Sequence, residues 1–131
     1  MLTMPKPCVF SIVESPLHPK CTEHYARLGY EEMAVNSIRK ALNLLKKHAP
    51  VYVIAEFRYG YGSNYSGVHI SNLDVLLVTL LKYAPNARVI VLVDKHEQQY
   101  IAPLNDILPL HAVLQNPAKP ADILAHMDAA E

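Results

Sequence analysis

The run "ARVIVLVD", residues 87–94, constrains this chain more than any other stretch. It is an unbroken apolar, β-branched segment. A strand with one wet face alternates apolar and polar residues, whereas a continuous run marks a strand buried on both sides. Such a strand belongs to a parallel sheet covered by helices above and below. The other apolar runs fit that picture. "CVFSIVE" (8–14) is a first strand ending in an acid, and "YEEMAVN" (30–36) is a second with Met33 and Val35 on one face. Residues 51–55 form a third, ended abruptly by Glu56, and "HAVLQN" (111–116) is a fifth. Helical patterns lie between them. "KCTEHYARLG" is a short helix that Thr22 caps and Gly29 stops. "SIRKALNLLKKHA" repeats Ile38, Ala41, Leu42 and Leu45 at helical spacing behind a Ser37 cap. "NLDVLLVTLLKYAP" is apolar on most faces and ends at Pro85. "EQQYIAPLNDIL" is a helical pattern disturbed by Pro103, and "PADILAHMDAA" is a closing helix with Pro120 near its first position.

Strands alternating with helical stretches imply an α/β fold, a parallel five-stranded sheet in a three-layer sandwich. Right-handed crossovers leave few topologies, and the flavodoxin-like order 2-1-3-4-5 is the commonest at this size. The 131 residues fit one domain, 1–131. In such sheets ligands sit outside the C-terminal strand ends, at the switch point between strands one and three. Glu14 and Glu56 should therefore line one crevice. Twelve basic and twelve acidic residues cancel, which argues against nucleic acid and membrane surfaces as partners. No apolar run approaches the roughly 18 residues of a membrane span. The first residues lack a signal-peptide core, so the expected location is cytoplasmic. Cys8 and Cys21 make no disulfide framework and read as free thiols.

Order and spacing together make the chain resemble the receiver domains of two-component response regulators, the CheY-like family, over nearly its whole length. That family places an acidic pair after strand one and a phospho-accepting Asp after strand three. A Thr or Ser follows strand four, and a Lys precedes Pro after strand five. Matched onto this chain, "IVES" puts Glu14 and Ser15 at the acidic pair, and "VYVIAEF" puts Glu56 at the acceptor. "VIVLVDK" puts Val93 at the hydroxyl position, and Val113 takes the aromatic switch position. In "LQNPAKPADIL", Asn116 stands where the Lys is expected.

The departures bear on mechanism. In the family the acids hold Mg²⁺, the Asp oxygen attacks phosphorus, and Lys and Thr bind the phosphoryl oxygens. Here one acid of the pair, the Asp, the hydroxyl and the Lys are all replaced. Glu is also one methylene longer than Asp, a displacement of about 1.5 Å. Errors of ~1 Å cost ~100-fold in a positioned reaction. The resemblance therefore implies a degenerate pseudo-receiver, with no catalytic residue, no metal and no cofactor. Glu56 either mimics a phosphorylated Asp or simply ends the strand and accepts loop hydrogen bonds. His18 and "CTEH" read as ordinary helix residues rather than a zinc site, because no second pair stands at zinc spacing.

"RYGYGSNYSGVHIS" is the anomaly, an insertion of roughly eight to ten residues where the family turns quickly into a helix. Gly60, Gly62 and Gly67 permit positive φ. Tyr59, Tyr61 and Tyr65 offer amphipathic contact area, and Arg58 and His69 add donors. The segment is either plain solvated loop or a partner-binding loop. The leading expectation is a stand-alone, non-catalytic signalling module that contacts another signalling protein. A homodimer is also expected, through a face bearing Tyr100, Ile101, Leu104 and Leu110. The alternative is a flavin or nucleotide module using the 58–71 loop. Its lone G-x-G is a weak signal, and a colourless sample would remove the flavin.

Overall fold

The computed structural model describes residues 6–59 and 71–130. Strand β4 (Arg88–Val93) lies deep in the fold, and none of its side chains from Val89 to Val93 reaches solvent. It pairs in parallel with β3 (Tyr52–Glu56) on one side and β5 (Ala112–Gln115) on the other. β1 (Cys8–Ile12) joins β3, and β2 (Glu31–Val35) forms the far edge, giving the order β2-β1-β3-β4-β5. This is the flavodoxin-like arrangement anticipated from the sequence.

The pleat divides the strands between two cores. Phe10, Ile12, Val53, Ala55, Val89 and Val91 face one layer, which contains α2 (Ile38–Leu45) and α3 (Asp74–Tyr83). Val9, Tyr52, Ile54, Ile90 and Leu92 face the other, formed by α1 (Thr22–Arg27) and α4 (Pro120–Leu124). α2 starts where its Ser37 cap predicts, with Ser37 Oγ accepting the Lys40 N–H at 3.1 Å. Thr22 does not cap α1. Cys21 stands at the cap position without a side-chain bond, and the Thr22 hydroxyl donates instead to Glu32. Gly29 ends α1 with φ +93°, and a Cβ there would stand 3.0 Å from Ala130 Cβ. The close approach belongs to the C-terminal tail. The Ala130 N–H donates to the Leu28 carbonyl at 2.7 Å, and the Tyr30 hydroxyl donates to the Asp128 carbonyl at 2.7 Å. Tyr52 Oη accepts from the Asp128 N–H at 3.0 Å. These bonds pull the tail off the helix, so α4 stops at Leu124 instead of running to Ala130.

The largest departure from the sequence reading follows β4. Residues 97–108 form no α-helix. Two 3-10 turns, Lys95–Tyr100 and Ala102–Asp106, take its place, with Pro103 in the first turn of the second. Proline has no N–H to continue a helical ladder. The turns pack part of the expected dimer face into the core. Ile101 is 5% exposed and Leu104 fully buried, both within the α2–α3 core, while Tyr100 and Leu110 are half-buried against it. Among the described residues no helix is long and apolar enough to cross a membrane.

Candidate functional site

β1 and β3 are neighbours, and the chain leaves their C-terminal ends in different directions, which opens the crevice expected between them. Glu56, the last residue of β3, enters it with its carboxylate turned toward the β1–α1 turn; the residue is 5% exposed. The Glu14 N–H donates to Glu56 Oε2 at 2.7 Å and the Ser15 N–H to the same oxygen at 3.1 Å. The Ser15 hydroxyl donates to Oε1. His18 Nδ1 lies 3.6 Å from Oε2, in ion-pair range but too long for a hydrogen bond. Burial alone pushes the Glu56 carboxyl up. The His18 ring, the Ser15 hydroxyl and the Glu14 N–H outweigh that and hold it at about 2.

Glu14 stands in the same crevice, as expected, but takes a different part. Burial raises its pKa, and the charge of Glu56 adds to that against the opposing pull of Arg58. Arg58 Nη2 reaches the Glu14 carbonyl at 3.5 Å. Asn72, read from the sequence only as a helix start, joins the site from just before α3. Its Nδ2 donates to the Glu56 carbonyl at 2.8 Å and reaches Glu14 Oε1 at 3.4 Å. Its Oδ1 accepts the Arg58 N–H at 2.7 Å. Tyr59 and Ser71 form an antiparallel bridge, so both ends of the Tyr-rich segment are pinned at the crevice. The Tyr59 ring stacks on Tyr100 at 3.7 Å. Tyr61, Tyr65 and His69, with Gly60, Gly62 and Gly67, lie outside the described residues.

The matched positions on β4 and β5 are brought to the same end of the sheet. Val93 is fully buried, and Val113 is half-buried against the core. Asn116 Nδ2 donates to Asp94 Oδ1 at 3.0 Å, across the tips of the two strands. A cleft of ≈ 460 Å³ separates these tips from the β1–α1 turn, and Ser15, Glu56, Arg58, Asp94, Glu97 and Asn116 line it. His18 belongs to the β1–α1 turn rather than to a helix. Among the described residues no group of His, Cys, Asp and Glu is placed to hold a metal.

No family model and no curated protein matches the chain. Solved structures do. A response regulator from Thermotoga maritima superposes with a TM-score of 0.65 at 13% identity, over 92% of this chain and 93% of that one. A CheY-like receiver domain protein from Methanospirillum hungatei gives 0.60 at 11%, over 92% and 90%. A Burkholderia pseudomallei response regulator with a phosphorylated aspartic acid gives 0.65 at 18%, over 92% of this chain but only 65% of its own length. The fold is that of a response-regulator receiver domain. At these identities the likeness concerns the fold, and the chemistry must be argued from this chain's residues. Within the receiver fold, the tip of β3 carries a carboxylate committed to internal bonds, and the tip of β5 carries an amide tied to Asp94.

Proposed function

We propose that the chain is a pseudo-receiver, a non-catalytic regulatory module that works through contact with another signalling protein and without Asp phosphorylation. The observation that carries this is the state of Glu56. A phospho-acceptor needs a free oxygen facing the cleft, and both Glu56 oxygens accept hydrogen bonds from the β1–α1 turn. Among the described residues the matched positions do not supply the missing parts. Val93 has no hydroxyl, and Asn116 brings an amide where a phosphoryl group would need a cation. The Tyr-rich segment, with Arg58 and Tyr59 at its start, is a candidate contact. A flavin or nucleotide fits the described part of the cleft poorly, since among the described residues its phosphate would face Glu56, Asp94 and Glu97 with only Arg58 to balance them.

Incubation with acetyl phosphate and Mg²⁺ tests this reading. Intact-mass measurement is expected to show an unmodified chain, and a phosphoryl group on Glu56 would overturn it. The homodimer has weak support, because the apolar residues of its face turn inward and leave little to bury. Light scattering at high micromolar concentration is expected to give the monomer mass.

A further inference from the structure

Helix α3 is the most apolar helix of the fold, and only its inner face is used. Leu76, Leu77 and Leu80 are fully buried. On the outer side Val75, Val78 and Leu81 are 43%, 56% and 45% exposed. A helix apolar all round belongs in an interior, flanked on both sides. α3 packs along α2 on one flank. On the same face of the sheet the segment after β4 supplies 3-10 turns in place of a helix. Among the described residues the outer stripe is thus left without a cover.

The exposed charges of α2 and α3 are of one sign. α2 and its C-terminal turn expose Arg39, Lys40, Lys46 and Lys47, and α3 exposes Lys82, four residues from Val78. The sole carboxylate of the two helices is Asp74, which is buried and accepts from the Ser71 N–H at 2.8 Å. In a chain whose charges cancel, these two helices expose only basic charges beside an apolar stripe, while the 3-10 segment after β4 carries both signs in Lys95, Glu97 and Asp106. We propose that the α2–α3 face is a docking surface, and that its occupant is an acidic amphipathic helix of a partner protein. The helix is ten residues long, about 15 Å, and its stripe from Val75 to Leu81 covers about two turns against which a second helix can lie. Its valines are short and leave a shallow surface suited to the ridges of another helix. Bilayer interfaces are entered by Trp, Phe and Leu, and of these the stripe has Leu81 alone. A second copy of the chain fits badly, because an isologous pair would bring two faces of the same sign together, with no exposed carboxylate on α2 or α3 to offset them. The proposal rests on the reading of the chain as a contact module and adds, beside the Tyr-rich segment, a second contact with its own place and chemistry.

The test is an amide-shift titration of the labelled full chain. The probe is a synthetic helix of about 14 residues with leucine along one face and glutamate on the other. Shifts are expected at Val75, Val78, Leu81 and Lys82 and along the exposed side of α2, weakening as salt is raised. Val78→Asp and Leu81→Asp should each reduce affinity about tenfold. The paired charge reversals Lys46→Glu and Lys47→Glu should do likewise. Both Asp variants change exposed positions, and their melting curves report whether they remain folded. A version of the probe with lysine for glutamate should leave the spectrum unchanged. Three results overturn the proposal: no shifts, shifts confined to the crevice, or binding to equimolar phosphatidylcholine–phosphatidylserine vesicles with the glutamate probe silent. Phosphorylation of Glu56 would overturn the pseudo-receiver reading by a separate readout and leave the titration result standing.

Discussion

Glu56→Ala is expected to lower the unfolding free energy by about 3 kcal/mol, a large share of what holds a domain of this size. The loss comes from the groups left behind. The Glu14 and Ser15 N–H groups, the Ser15 hydroxyl and the His18 ring all converge on one buried carboxylate. Hydrogen bonds to charged groups contribute about 1.5–3 kcal/mol each, and unpaired buried donors cost more than the bond gained. The same carboxylate sets an acid limb. Its folded pKa, about 2, lies below the ordinary value of 4.5. A depressed pKa means that the folded state binds the proton less readily than the unfolded one. The stabilisation is therefore complete above about pH 4.5 and is lost as pH falls toward 2. Glu56→Gln keeps the shape without the charge and should flatten that limb. Urea unfolding followed by circular dichroism from pH 7 to pH 2 checks both variants. An alanine variant within ~0.5 kcal/mol of the parent would show that Glu56 is not a strut.

Leu80→Ala is expected to cost about 3 kcal/mol as well, by opening a cavity in the layer shared with α2. Leu80 is fully buried. Val78→Ala, two residues away, should change stability by less than ~0.5 kcal/mol because its side chain is more than half exposed. Thermal melts of the two variants compare the faces of α3 directly. Equal losses would mean that the outer stripe is covered in solution.

The sheet was legible because buried strands must be apolar on both faces, and "RVIVLV" admits no other reading. Strand order then followed from chain connectivity. The stretch after β4 was misread for a physical reason. Ile101, Leu104 and Leu108 stand at spacings of three and four, and 3-10 turns can bury such a set as well as an α-helix can. The pattern was wrong about the helix, and part of the apolar set expected on a dimer face is buried instead. Glu56 was placed in the crevice, but its commitment to the β1–α1 turn was not visible. Its partners lie about forty residues upstream, and sequence spacing carries no sign of a bond that long-range. Asn72 was hidden differently. "SNLD" reads as an ordinary helix start, and only the fold sets that amide against the tip of β3.

The two cysteines sit on opposite sides of the sheet, Cys8 in the layer of α2 and α3 and Cys21 in that of α1 and α4. Both thiols are free and buried, and burial raises the pKa of each. An alkylating reagent can reach them only when the covering helices lift. The chain thus carries one chemical clock per layer. Trapping rates at the two sulfurs under native conditions convert to two opening free energies. Equal values mean that both layers part in one cooperative event. A faster Cys8 would make the half bearing the exposed α3 stripe the looser one, on the timescale at which a partner would have to find it.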